Sequence, residues 1–145
     1  MGFDGVALET DGAIARIRLA RPEKRNALSL DMLEALQETL ETVPPSAGAV
    51  ILEAEGPVFS AGHDLGEMID RPNDFYAALF GACTDMMESL HRIPQPVIAK
   101  VQGPATAAGC QLVASSDLAN AATDDAQEGM AAFLEKRAPQ WSAHT

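Results

Sequence analysis

Alternating strand-like and helical segments predict an α/β fold for this chain. Three observations lead to this prediction. An Asp11-Gly12 pair separates two β-favouring runs, apolar residues then recur at helical spacing, and short apolar runs lie between the helical stretches. We expect residues 1–122 to form one core and residues 123–145 to form a C-terminal helix and tail.

The boundaries of each element follow from periodicity and turn residues. Strands are predicted over 6–10, 13–19, 49–54 and 97–101. The first helix is capped by Ser29 and ends before Pro44-Pro45, and the second covers about 73–92. Two more helices are predicted over the small residues 105–114 and over about 123–136, the latter with Met130, Phe133 and Leu134 as apolar positions.

Composition excludes several classes of protein. The 145 residues carry a formal charge of −11, which argues against a nucleic-acid partner or an anionic membrane surface. No apolar stretch approaches the roughly 18 residues of a membrane span, and the N-terminus does not resemble a signal peptide. Cys83 and Cys110 form neither a disulfide framework nor a metal-spaced pair. We therefore expect a cytoplasmic protein without a metal.

Two loops of small residues point to chemistry. Residues 59–65 and 102–111 each follow a strand, and small residues allow another molecule to approach the backbone closely. The second loop enters a helix, where the first N–H groups have no partner in the helix. Two such N–H groups converging on one point would hold a developing oxyanion, although each loop taken alone is more typical of a tight turn and a close helix–sheet contact.

The order of these loops, with a charged loop before them, resembles the enoyl-CoA hydratase/isomerase family, also called the crotonase family. The similarity covers about residues 5–120, and the C-terminal segment 125–137 also looks like a helix of that family. The segments that carry it are Arg21-Pro22-Glu23-Lys24-Arg25-Asn26-Ala27-Leu28-Ser29, Phe59-Ser60-Ala61-Gly62-His63-Asp64-Leu65, Pro96-Val97-Ile98-Ala99-Lys100-Val101-Gln102-Gly103 and Ala107-Ala108-Gly109-Cys110-Gln111-Leu112.

The resemblance implies a shortened, crotonase-like spiral of ββα turns that assembles into trimers or hexamers and binds acyl-CoA. The thioester oxygen would lie between the backbone N–H groups of His63 and Ala108. Coenzyme A would be the substrate or ligand, with no cofactor bound permanently. Lys24 and Arg25 would meet its phosphates, unless they belong to a solvated charged turn. The implied binding residues are Lys24, Arg25, Ala27, Leu28, Ala61, His63, Asp64, Leu65, Ala108 and Gly109.

The chain departs from the family at the catalytic acids. Gln111 stands where hydratases of the family have a glutamate, and an amide can orient water but cannot act as a general base. A second glutamate belongs to a stretch of on the order of 100 residues that is missing after Ala119, judging from the family's domain size. Exposed apolar surface left by this deletion would favour self-association.

The remaining titratable residues each leave two interpretations. The imidazole of His63 is a base or is incidental to its backbone N–H, and Asp64 is catalytic or bonds loop N–H groups; the second alternative is favoured for both. The helix carboxylates Glu67, Asp85 and Glu88 are expected to be solvated rather than catalytic. The cysteines Cys83 and Cys110 are expected to be packed in the core.

Two classes of function therefore remain open. The family label indicates a hydratase, isomerase or related thioester enzyme of acyl-CoA metabolism. The loss of the acids favours a non-catalytic acyl-CoA-binding protein or an assembly partner, or else an inactive family fragment. A carboxylate close to the α and β carbons of the thioester would distinguish the first class from the second.

Overall fold

The computed structural model of this chain describes residues 2–121, 124, 128, 131–132 and 135–140. Within this part of the chain, six strands form one sheet in sequence order. The strands are β1 (Gly2–Phe3), β2 (Val6–Asp11), β3 (Ile14–Leu19), β4 (Ala49–Ala54), β5 (Val97–Val101) and β6 (Leu118–Ala121). The helices are α1 (Leu30–Glu41), α2 (Asn73–Arg92) and α3 (Ala108–Ala114). The prediction of an α/β fold is confirmed.

The predicted hairpin joins β2 to β3, with its turn one residue later than expected. Asp11 pairs with Ile14, so the turn consists of Gly12 and Ala13. Gly12 has a φ of +58°, which glycine adopts without the steric cost that a Cβ would bring. The predicted alternation of β3 is confirmed, because Ala15, Ile17 and Leu19 are all buried.

From β3 onward the strands are parallel, since a helical segment connects each strand to the next. One face of the sheet packs against α1 and α2 and forms the core. The buried sheet residues are Val6, Leu8, Ala15, Ile17, Leu19, Val50, Leu52 and Val97, and the buried helix residues include Met32, Leu33, Leu36, Leu40, Leu79, Met86 and Leu90.

Helix α1 begins with two caps. The side chain of Ser29 accepts a hydrogen bond from the Met32 N–H at 3.2 Å, as predicted. Glu67 Oε1 accepts a second bond from the Leu30 N–H at 2.8 Å. The expectation that Glu67 is only solvated was wrong, because a helix start more than thirty residues away in the sequence uses its charge. Helix α2 has the predicted bounds.

The other face of the sheet carries a cluster of charges around Glu53. Arg18 donates to Glu53 Oε1 from Nε at 3.1 Å and from Nη2 at 2.9 Å, and Lys100 Nζ lies 3.5 Å from Oε2. Burial opposes ionisation of Glu53, but the hydrogen bond from Arg18 and the charges of Lys100 and Arg18 outweigh it, so its pKa is lowered.

Two elements differ from the sequence prediction. Helix α3 begins at Ala108 rather than at Ala105, because Ala105 forms a parallel bridge with Ser60 and stays extended. Strand β6 was not predicted; it pairs with β5 through Ile98 and Leu118. No helix in the described part of the chain has the length and apolar character of a membrane span.

The predicted C-terminal helix lies only partly in the described residues. Residues 124, 128, 131–132 and 135 are helical. The apolar positions assigned to this helix, Met130, Phe133 and Leu134, lie outside the described residues.

Candidate functional site

The segment around Gly62 is held between two other loops by backbone hydrogen bonds. On one side the Leu28 N–H donates to the Gly62 carbonyl at 2.7 Å, and the Ala61 N–H donates to the Arg25 carbonyl at 3.0 Å. On the other side the Thr106 N–H donates to the Ser60 carbonyl at 3.0 Å. Three loops that are distant in sequence therefore form one rigid layer beyond the ends of the parallel strands.

Two buried polar side chains fasten this layer. Asn26 is fully buried at a φ of +49°, and its Nδ2 donates to the carbonyls of Glu55 at 2.8 Å and Val58 at 2.9 Å. The hydroxyl of Ser60 donates to the Asn26 carbonyl at 2.9 Å. Asn26 and Ser60 were not singled out as site residues, although an asparagine in a charged turn is a known signal for left-handed backbone.

Small residues allow the segments that contain His63 and Ala108 to approach closely. A Cβ placed on Gly62 would lie 2.9 Å from Ala107 Cβ and 3.2 Å from the Ala108 nitrogen. A Cβ on Gly109 would lie 2.5 Å from the Ser60 carbonyl oxygen. The N–H groups of His63 and Ala108 thus belong to touching segments. Neither has an acceptor among the described residues.

The ring of His63 has defined partners. Its Nδ1 lies 3.2 Å from the Leu28 carbonyl oxygen, and its edge meets Phe80 with ring centroids 5.5 Å apart. Because a carbonyl oxygen only accepts hydrogen bonds, Nδ1 must carry the hydrogen in this contact.

A cleft of about 620 Å³, which we call the helical cleft, lies between α2 and α3. Its wall combines apolar groups from both helices with a few polar ones. It is lined by His63, Phe80, Cys83, Thr84, Met87, Glu88, His91, Ala107, Ala108, Gln111 and Ser115.

A second cleft of about 440 Å³, which we call the loop cleft, lies on the other side of His63. Two cations face it, and neither has an ion-pair partner within the described part of the chain. It is lined by Lys24, Arg25, Ala27, Ala61, His63, Asp64, Leu65, Gly66 and Thr106. His63 is therefore common to both clefts.

Most of the candidate residues from the sequence line one of these clefts. Leu28 and Gly109 do not: both are buried, and they contribute by packing and backbone hydrogen bonds. Asp64 accepts a bond from the Gly66 N–H at 3.0 Å, which agrees with the favoured interpretation of that residue. Gln111 is exposed and lines the helical cleft.

The cysteines behave differently from each other. Cys83 is buried, as expected, and burial raises the pKa of its thiol. Cys110 is exposed, so its assignment to the core was wrong. The buried residues of α3 are Ala108, Gly109 and Leu112, and Cys110 lies outside this buried side. Among the described residues no group of three His, Cys, Asp or Glu side chains could hold a metal ion.

Glu88 and Asp85 are both exposed on α2, as expected for helix carboxylates. Glu88 also lines the helical cleft and forms an ion pair with Arg92. The cleft therefore does contain a carboxylate, at a residue for which the sequence favoured a solvated position over a catalytic one.

Comparison with known proteins agrees with the resemblance seen in the sequence. Residues 9–124 match the family model described as enoyl-CoA hydratase/isomerase. Enoyl-CoA hydratase domain-containing protein 3, mitochondrial, from Danio rerio is 50% identical over 114 residues, covering 77% of this chain and 39% of the relative.

Solved structures show the same similarity. The structure of human enoyl Coenzyme A hydratase domain-containing protein 3 is 44% identical with a TM-score of 0.77, covering 79% of this chain and 47% of that one. An enoyl-CoA hydratase of Mycobacterium smegmatis is 48% identical with a TM-score of 0.77, covering 79% of this chain and 46% of that one. The chain thus spans less than half the length of these relatives, and the expected shortened crotonase-like fold is confirmed.

The expectation of a cytoplasmic location was wrong. The vertebrate relatives that share 45–50% identity are named as mitochondrial proteins. Cysteine content separates oxidising from reducing compartments, but it does not separate one reducing compartment from another. The family model matches well over half of the residues, and this chain therefore belongs to the enoyl-CoA hydratase/isomerase family.

Proposed function

We propose that this protein binds an acyl-coenzyme A thioester where the helical cleft and the loop cleft meet. The thioester oxygen would accept hydrogen bonds from the N–H groups of His63 and Ala108. The close approach of Gly62 to Ala107 and Ala108 carries the proposal, because a Cβ on Gly62 would lie only 3.2 Å from the Ala108 nitrogen, and the N–H groups of His63 and Ala108 have no acceptor among the described residues. Fixed N–H donors of this kind stabilise an oxygen as negative charge develops on it.

The two clefts suit the two ends of such a ligand. The acyl chain would enter the helical cleft, where Phe80 and Met87 offer apolar surface. Coenzyme A would lie along the loop cleft, where Lys24 and Arg25 offer positive charge for its phosphates. A local pair of cations is sufficient for this, even though the net charge of the whole chain is −11.

Hydration of a double bond is not part of this proposal. It requires groups that give and take protons, and the exposed amide of Gln111 does neither near neutral pH. The names of the relatives favour an enzyme, whereas Gln111 favours a non-catalytic acyl-CoA-binding protein or assembly partner. Binding of the thioester is common to both alternatives, so it is the first property to test.

We also propose that the chain assembles into a homo-oligomer, a trimer or hexamer as the family resemblance implies. Leu118 of the strand β6 is 63% exposed, and β6 pairs on one side only within the described residues. Exposed apolar groups at a sheet edge favour association. Sedimentation equilibrium measures the state directly: a monomer at all concentrations would contradict this part of the proposal.

Titration with crotonyl-CoA by calorimetry tests the binding proposal, with the absorbance of the conjugated thioester followed in the same sample. We expect saturable heat without loss of absorbance. Loss of absorbance would instead establish a hydratase. The absence of saturable heat would overturn the proposed function.

A further inference from the structure

We propose that the imidazole of His63 is a catalytic base that removes a proton from the carbon next to the thioester carbonyl. This inference rests on the proposed function, because it needs the thioester oxygen at the N–H groups of His63 and Ala108. It assigns a role to the side chain of His63, in addition to that of its backbone.

The hydrogen bond to Leu28 prepares the ring for this role. Nδ1 donates to the Leu28 carbonyl oxygen at 3.2 Å, so in the neutral ring Nε2 carries the lone pair. Nε2 has no hydrogen-bond partner among the described residues. Leu28 is fully buried and its N–H is bonded to Gly62, so the carbonyl that orients the ring is itself held in place. A carbonyl that fixes the tautomer of a histidine is a common feature of histidines that act as bases or ligands.

The position of the ring also fits. The half-buried ring lines both clefts and meets Phe80 of the helical cleft in a T-shaped contact. The backbone N–H of the same residue is the proposed donor to the thioester oxygen. The carbon to be deprotonated is two bonds from that oxygen, which is within the span of one side chain.

The other titratable groups of the helical cleft are less suitable. Counted along α2 from Phe80, Glu88 lies eight residues away and His91 eleven, or about 12 and 16.5 Å at 1.5 Å per residue. Glu88 is also paired with Arg92. Cys83 is nearer, but burial raises the pKa of its thiol and keeps it protonated.

The step itself is a proton transfer. The α C–H bond breaks, its proton goes to Nε2, and its electron pair moves into the carbonyl to give an enolate oxygen held by the two N–H groups. Return of the proton from Nε2 to carbon regenerates the thioester. In D₂O the proton on Nε2 exchanges with solvent before it returns to carbon, so repeated cycles replace the α hydrogens of a saturated acyl-CoA with deuterium.

The experiment incubates butyryl-CoA with the whole chain in D₂O and follows the mass of the acyl group, with binding measured by calorimetry in parallel. We expect an exchange rate that is proportional to protein and saturates with butyryl-CoA. His63→Ala keeps the backbone N–H, so it should still bind while exchange falls by about 10²-fold or more. Added imidazole should restore part of the exchange. His63→Gln, which fills the space left by the ring, should bind and fail to exchange.

Each other outcome is decisive. Exchange by His63→Ala and His63→Gln at the rate of the unmodified chain would show that another group is the base. Binding without any exchange by the unmodified chain would overturn this inference and leave the proposed binding function intact. Absence of binding by the unmodified chain would overturn both.

Discussion

The helical cleft and the loop cleft meet at His63 but are built in different ways. Side chains of two helices make the wall of the helical cleft, whereas the loop cleft is shaped by backbone bonds among loops, with Lys24 and Arg25 at its surface. Because the two clefts are built differently, mutations should separate recognition of the acyl group from recognition of coenzyme A. A change in the backbone where the two clefts meet should weaken recognition of both.

The largest effect is expected from Gly62→Ala, because this change disrupts the contact between Gly62 and the segment of Ala107 and Ala108, where the two clefts meet. Gly62 has a φ of +88°, and a Cβ would lie 2.9 Å from Ala107 Cβ and 3.0 Å from the Thr106 carbonyl oxygen. The segment must shift, and the two N–H groups separate. We expect affinity for crotonyl-CoA to fall by about 10²-fold or more, measured by calorimetry.

Gly81→Ala is the matched control for that change. Gly81 lies inside α2, and a Cβ there would have no atom within 4 Å. Alanine should therefore stabilise the helix by about 0.5–1 kcal/mol and leave affinity unchanged. Equal affinity of the Gly62→Ala and Gly81→Ala variants would contradict the assignment of the N–H pair.

The double change Lys24→Gln and Arg25→Gln tests the loop cleft alone. Both side chains are exposed and face the cleft. Removing two charge-assisted contacts to phosphate should weaken binding of coenzyme A about tenfold or more and reduce its dependence on salt. Titrations at two ionic strengths measure both effects.

Lys100→Gln is the control for charge. It also removes positive charge, but Lys100 lies on the outer face of the sheet, where it contacts Glu53. Coenzyme A affinity should not change. If Lys100→Gln weakened binding as much as a change at Lys24, the effect would be one of net charge and not of the loop cleft.

Met87→Ala tests the helical cleft alone. Met87 lines this cleft and packs partly against the core. Loss of its apolar surface should weaken binding of crotonyl-CoA about fivefold, while binding of free coenzyme A stays the same. Calorimetry with both ligands gives the ratio. An equal loss for the two ligands would place the acyl group elsewhere.

The sequence predicted those parts of the fold that depend on local signals. The hairpin between β2 and β3, the Ser29 cap and the whole of α2 are set by neighbouring residues and by helical periodicity, and the structure has them, with the hairpin turn one residue later than predicted. The loops at 59–65 and 102–111 could be recognised as sites of close backbone approach because small residues alone permit it.

What the sequence could not predict depends on partners far along the chain. Asn26 bonds to carbonyls of Glu55 and Val58, and Glu67 caps a helix that begins at Leu30. The late start of α3 follows from the pairing of Ala105 with Ser60. Each of these contacts forms only when the sheet has brought the loops together, so no local sequence pattern predicts it.

The wall of the helical cleft was missed for a similar reason. Phe80, Met87 and Glu88 lie on a helix whose periodicity predicts a buried stripe and a solvated one. Which residues border a cleft depends on where α3 lies relative to α2. The sheet sets the position of α3 relative to α2, so the sequence of neither helix predicts it.

The smallest effect on binding is expected from Glu53→Gln, which changes the outer face of the sheet. The pKa of Glu53 is lowered in the folded chain, so its ionised form stabilises the fold above its unfolded pKa. That contribution is lost as pH falls through the lowered folded pKa. We expect Glu53→Gln to reduce the free energy of unfolding by about 1–2 kcal/mol at neutral pH.

The difference between Glu53→Gln and the unmodified chain should narrow in acid, because protonation of Glu53 removes the same charge that the substitution removes. Urea unfolding at a series of pH values measures this. Crotonyl-CoA affinity at neutral pH should be unchanged, since Arg18 and Lys100 pair with Glu53 outside both clefts. If the difference in the free energy of unfolding stayed the same at acid pH, the amide would be disturbing packing and the ion pairs would contribute little. A loss of affinity would show that the outer face and the clefts are coupled through β4.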